Sequence, residues 1–415
     1  MTLEAGGAQA RITADSVARR SYGKLVAFLA SRTHDVDAAE DALADAFAVA
    51  LVDWPRKGCP ANPEAWLLTV ARRKFLDSLR VPRPSFGSEE IERMAEGLAA
   101  AELEKDFPDE RLGLLFACAH PAIDPGIRAP LMLQAVLGFD AARIGSVFLI
   151  SPTAMGQRLV RAKQKIRQAG IPLRIPGRAE LGERLGAVLD AIYAAFAEGW
   201  IDASGSDVAR RELAAEAIYL GRLVNELLPG EPEAMGLLAL MLYAESRRRA
   251  RRDAAGEYVP MAGQAVAEWD GAMISEAESL LHQASSLGIL GRYQLEAAIQ
   301  SAHTERRRTG HANWRAVVEL YDALLCVSPT PVVAMNRALA LAERDGAQAG
   351  LAALEEVAPD ARLEQYQPWW AARAELLARN GRIEQARAAY DIAIGLEKDD
   401  SVRRFLNRRR IALAR

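Results

Sequence analysis

Residues 151–168 read SPTAMGQRLVRAKQKIRQ, and the pattern of this run sets the reading of the chain around it. Ser151 is a strong helix N-cap, and Pro152 suits the first helical position, where its missing N–H costs nothing. Met155, Leu159, Ala162 and Ile166 fall on one face, while Gln157, Arg158, Arg161, Gln164 and Lys165 point elsewhere. Just upstream, residues 139–149 carry a shorter helical pattern in Ile144, Val147 and Phe148. Two short helices joined by a tight turn, the second capped and basic, predict a helix-turn-helix with its recognition helix over residues 152–167. An ordinary solvated helix in a stack of helical repeats would read the same way.

Charge around this run is uneven. Residues 141–178 contain no acid but eight bases: Arg143, Arg158, Arg161, Lys163, Lys165, Arg167, Arg174 and Arg178. Residues 85–110 reverse the balance, with nine acids against Arg93 and Lys105. A solvated face normally mixes signs, so an acid-free stretch of this length is an electrostatic footprint, and nucleic acid is its natural partner. The whole chain, with 52 Lys+Arg and 55 Asp+Glu, carries a net charge of −3, which excludes a uniformly basic, histone-like protein.

The 415 residues suffice for two or three domains. A content of 50% hydrophobic and 26% charged residues is that of a soluble globular protein. Aromatic residues are 6%, and Ala, Leu, Arg and Glu, all good helix formers, dominate. Apolar 3,4-spacing runs through most of the chain, so the fold class expected is all-α. Pro/Gly-bearing stretches at 81–87 and 170–177 interrupt it. The domains expected are 10–81, an acidic linker at 82–107, 108–170, a short linker at 171–178, and 179–415. Residues 1–10 read as a loose tail rather than a charged-then-apolar leader. The apolar run from Met235 to Ala244 is too short to span a bilayer. Cys59, Cys118 and Cys326 are too scattered for a disulfide scaffold or a zinc site, so a cytoplasmic, reduced compartment is expected, with no membrane partner.

No catalytic residue, metal ligand or cofactor is expected. The five histidines form no HExxH, and the chain has neither a Gly-rich phosphate loop nor a GxSxG. Cys118 and His120 read as core residues at a helix end.

In the N-terminal unit, Asp35, Asp37, Glu40, Asp41 and Asp45 surround an apolar ladder of Ala39, Leu43, Phe47 and Leu51. Residues 62–80, NPEAWLLTVARRKFLDSLR, follow as a helix with Trp66 near its start and Arg72, Arg73 and Arg80 on a basic face. Such a pair could bind a protein with one face and unstacked nucleic acid with the other. On spacing alone, a helical hairpin neutralising its own charges is the simpler reading.

These residues resemble a known family. AEDALADAF (39–47), AWLLTVAR (65–72) and DSLR (77–80) are similar to region 2 of extracytoplasmic-function sigma factors of bacterial RNA polymerase, and LGLLFACAHP (112–121) with Ser151 and RLVRA (158–162) resembles their region 4. The chain as a whole resembles the subgroup that carries a C-terminal tetratricopeptide-like extension. The resemblance implies that Asp41, Leu43, Asp45 and Phe47 grip core RNA polymerase. It implies that Trp66, Arg72, Arg73, Asp77 and Arg80 capture and melt the −10 element, and that Thr153, Gln157, Arg158, Arg161 and Lys165 meet the −35 element of promoter DNA. The acidic linker would follow the path later taken by nascent RNA. Ala44, Arg73, Ala154 and Gly156 depart from the family's usual residues, which bears on the promoter sequence and not on the architecture.

In the C-terminal half, Tyr321-Asp322 and Tyr390-Asp391 lie 69 residues apart, about two tetratricopeptide periods. Gly346 and Gly381, 35 apart, each sit between helical patterns. The repeats read most clearly over 313–395, and a protein or peptide partner would suit their concave face. The run SRRRARRD (246–253) could contact nucleic acid or the acidic linker, although a solvated helix end is the simpler reading. Two other functions compete with a sigma factor: a one-component helix-turn-helix regulator with a repeat sensor, and a pure repeat scaffold. Neither has a use for a region-2-like unit.

Overall fold

A computed structural model describes residues 3–33, 36–78, 108–169, 171, 175–201, 208–357 and 360–413. These residues form an all-α fold without a β-strand; an isolated antiparallel bridge joins Arg252 to Tyr258. The acidic linker at 82–107, Arg80, and residues 172–174 of the second linker lie outside the described residues. The chain divides into two compact units, residues 1–146 with 151–191, and residues 147–150 with 192–415. Apart from 147–150, both expected N-terminal domains therefore fall in the first unit.

The first unit opens with α1 (Leu3–Thr33), α2 (Val36–Lys57) and α3 (Pro63–Ser78), which pack on one another. The helix begins at Leu3, so the expected loose tail is helical. Ala10, Ala14 and Val17 extend the buried face toward its start and give that first stretch something to pack with. The Ser21 hydroxyl bonds the Glu64 carboxylate and ties α1 to α3. Then come α4 (Glu110–Cys118), α5 (Pro125–Ala135), α6 (Ala141–Val147) and α7 (Pro152–Gln168). α4 packs on α1 and α5, and α5 on α7. α8 (Leu181–Ile201) leads into the second unit, and its buried Arg184 donates to the Phe116 carbonyl of α4 at 3.1 Å.

In the second unit, α9 (Val208–Leu227), α10 (Pro232–Glu245), α11 (Gly271–Ser286) and α12 (Arg292–Thr304) surround a core centred on α10, which is buried from Gly236 through Tyr243. Gly236 is required there, because a Cβ would come within 2.6 Å of the Gln294 backbone nitrogen. The rest of the unit consists of α13 (Trp314–Val327), α14 (Pro331–Asp345), α15 (Ala347–Val357), α16 (Gln367–Arg379), α17 (Ile383–Leu396) and α18 (Asp400–Ala412). Gly346 at φ +98° and Gly381 at φ +71° make the turns of the α14–α15 and α16–α17 pairs, in the left-handed region that glycine enters without a Cβ clash. No helix among the described residues is long and apolar enough to cross a membrane.

Candidate nucleic-acid interface

The start of α3 is set by Asn62, whose side-chain oxygen accepts from the Ala65 N–H at 3.0 Å, satisfying a donor that the first helical turn leaves free. Ala65, Leu67, Leu68, Thr69 and Ala71 face the core, and Arg72 and Arg73 are exposed near the end of the helix. Asp77 is half-buried. Trp66 is also half-buried, with its ring 5.4 Å from that of the buried Trp54 at an interplanar angle of 64°. Part of this side chain thus anchors α3 on α2.

The acidic helix differs from its expected face. Leu43 is fully buried and cannot form part of a docking surface; it holds α2 in the bundle. Phe47 is half-buried, its ring 6.2 Å from that of Tyr22. Burial, with Glu40 and Asp41 nearby, raises the Tyr22 hydroxyl above its ordinary value and keeps it protonated. Asp41 and Asp45 are exposed, and beside them so are Leu51 and Val52, at 48% and 55%. The reason is helical geometry. A residue four positions on is rotated by about 40°, so the ladder from Ala39 through Leu43 and Phe47 to Leu51 drifts about 120° off the core. Burial falls in that order, and the exposed face of α2 is a mixed acidic and apolar stripe. Leu51 was the signal available in the sequence, and it reads differently once the drift is followed.

In α7 the Ser151 hydroxyl accepts from the Ala154 N–H at 3.3 Å, and Met155, Leu159 and Ile166 are buried. Thr153, Gln157, Arg158, Arg161 and Lys165 are all exposed. The Arg161 Nε–H donates to the Gln157 carbonyl at 3.2 Å, which holds its side chain along the helix. Among the described residues no carboxylate pairs with Arg158, Arg161, Lys165 or Arg167. Lys163 differs, reaching to 3.6 Å from a Glu40 carboxylate oxygen of α2. Leu149 at φ +54° makes the bend before α7. Gly156 carries no such demand, since an added Cβ would meet the Ala141 Cβ at an ordinary 3.7 Å.

Cys118 is fully buried, and burial pushes its thiol up to about 12, which leaves it an unreactive core residue. His120 is half-buried, and its Nδ1 accepts from the Ala122 N–H at 3.2 Å. Among the described residues no three His, Cys, Asp or Glu side chains group as metal ligands would.

A bundle of three helices presenting paired arginines on one helix and an acidic stripe on another belongs with a known class. Residues 17–83 match sigma-70 region 2, and the N-terminal part of the chain is a sigma-70 region-2-like domain. This points to a transcription-related role associated with DNA and RNA polymerase. Residues 184–285 match a family of unknown function, DUF6596. The chain is 38% identical over 374 residues to the uncharacterized protein R00370 of Rhizobium meliloti (strain 1021), covering 88% of each, and it belongs to one family with that protein. No solved structure matches it.

Proposed function

We propose that this protein is a sigma factor of the extracytoplasmic-function kind, binding core RNA polymerase in the cytoplasm and directing it to promoters. The observation that carries the reading is the sigma-70 region 2 similarity over residues 17–83. On this reading Asp41, Asp45, Leu51 and Val52 dock on core enzyme, and the covalent chemistry is the polymerase's own. The exposed Arg72 and Arg73 hold the phosphates of the opened −10 strand while the accessible part of Trp66 stacks on an unpaired base, a task of charge and stacking that suits these side chains. α6 and α7 act as a region-4 helix-turn-helix. The N-terminal Thr153 and Gln157 meet base edges of the −35 element, and Arg158, Arg161 and Lys165 meet its phosphates. The C-terminal helical pairs, with a tetratricopeptide-like spacing of 35 residues between Gly346 and Gly381, regulate the factor or recruit a partner.

The test is Arg72→Ala combined with Arg73→Ala, assayed for promoter opening by permanganate footprinting and for core binding by co-elution. Loss of opening with core binding retained is the expected result. Loss of core binding would move the docking surface to α3, and promoter opening at the wild-type level would remove the −10 role.

A further inference from the structure

The segment after α10, residues 246–253, reads as a solvated helix end by sequence and is not one. Ser246, Arg247 and Ala250 are buried, and Arg248, Arg251 and Arg252 are half-buried. Three of these four guanidinium groups are accounted for. Arg248 pairs with Glu245 at 2.7 Å. Arg251 donates to the Trp200 carbonyl at 2.6 Å and lies 4.4 Å from the centre of that ring. Arg252 pairs with Asp399 at 2.8 Å.

Arg247 differs from its neighbours. It is 7% exposed, and one terminal nitrogen, Nη2, donates to the Gln300 side-chain oxygen at 2.6 Å. The other, Nη1, is buried with no partner among the described residues. Its guanidinium carbon is 5.8 Å from the ring centre of Trp269, whose own Nε1–H is also buried with no partner among the described residues. Burial, and then the like charge of Arg251, push the Arg247 guanidinium down to about 10, still protonated at pH 7. His303, one turn beyond Gln300 on α12, is 8% exposed and pushed down to about 4 by burial and by Arg247. It is neutral at pH 7, so it adds no second positive charge beside Arg247. Among the described residues no carboxylate stands beside this buried cation and its idle N–H, a costly arrangement that folded proteins rarely leave uncompensated.

We propose that the buried guanidinium of Arg247, together with the Trp269 indole N–H, binds a compact oxyanion of the phosphate class inside the C-terminal unit. The fork of the guanidinium suits this task, since one arm stays fixed on Gln300 while the other presents Nη1–H to an anion oxygen. The depth of the side chain selects a small anion rather than a macromolecule. The site uses residues of the second unit alone, so it stands or falls separately from the sigma-factor reading.

The experiment is thermal unfolding of the full chain in increasing inorganic phosphate, with chloride holding ionic strength constant, and in parallel with ribose 5-phosphate. The expected result is a saturable rise of about 4 °C at ten times the dissociation constant. The rise should be absent in Arg247→Met and retained in Arg249→Gln, an exposed neighbour. A response to inorganic phosphate alone assigns a free ion, and a response to both assigns a phosphate monoester. Arg247→Met should also melt no lower than wild type without anion, because it removes an uncompensated charge. Should that variant fail to fold, Trp269→Phe, which deletes only the indole donor, should weaken the response. A wild-type protein indifferent to both phosphates, or an Arg247→Met variant that still responds, would overturn the assignment.

Discussion

α7 and α18 are both arginine-rich, and they hold their charges differently. In α7, Arg158, Arg161 and Lys165 stand exposed with no carboxylate among the described residues to meet them. In α18 every arginine of its length is met: Arg403 by Asp400 at 2.6 Å, Arg404 and Arg408 by Glu257 at 2.8 and 2.7 Å, Arg409 by Glu375 at 2.5 Å, and Arg410 by Asp391. The Arg404 and Arg408 hydrogen bonds hold the Glu257 carboxyl below its ordinary value. Counting bases does not separate these helices. What separates them is whether the described residues supply acids, and on the proposed reading α7 offers its charge to a polyanion.

The sharpest way to break this contrast is Arg158→Ala with Arg161→Ala. Two lost phosphate contacts reduce the salt slope of duplex-DNA binding by about 2, which at ~0.15 M salt is roughly a 30-fold weaker affinity. Fluorescence anisotropy across a salt series measures both quantities. An unchanged slope would make α7 a solvated helix like any other.

The buried side of the C-terminal unit is read through pH. The folded value of His303 lies near 4, below the ordinary 6.5. Between those values the unfolded chain binds more protons, so the stabilising contribution is complete above about pH 6.5 and is lost as pH falls toward 4. Urea unfolding should show a loss of about 2 kcal/mol between pH 7 and pH 5 from this group. His303→Gln should flatten that part of the profile, and a profile of the same slope in the variant would contradict the assignment.

A smaller effect sharpens the account of α7 itself. Gly156→Ala should stabilise the first unit by up to ~1 kcal/mol, since the Cβ has room beside Ala141 and glycine weakens a helix interior. Denaturant midpoints test it, and a destabilised variant would show closer packing of α6 on α7. Smallest of all is Arg409→Ala in α18. An exposed pair with Glu375 contributes under about 1 kcal/mol, and DNA affinity should stay unchanged.

Much of this molecule is legible in its sequence wherever a short-range rule suffices. The Ser151 cap, the Pro152 start, the buried face of Met155, Leu159 and Ile166, and the turn glycines Gly346 and Gly381 all follow from local geometry. The reading fails where a side chain's surroundings come from far along the chain. Leu43 and Leu51 share a ladder on paper, but α1 and α3 cover one and leave the other open. Arg247 reads as solvated because Trp269 and Gln300, which enclose it, lie on other elements. Residues 3–10 of the expected tail are helical for the same reason, continuing a helix whose buried face includes Ala10 and Ala14.

The central claim is that this chain redirects RNA polymerase, and run-off transcription tests it most directly. Core enzyme would be assayed with and without the protein on a library of promoter-containing genomic fragments. The account predicts discrete new transcripts, present only with the protein, that share two sequence boxes upstream of their starts. Core enzyme that neither binds the protein nor initiates at any new position, while bare duplex is still retained, would contradict it and leave a DNA-binding regulator in its place.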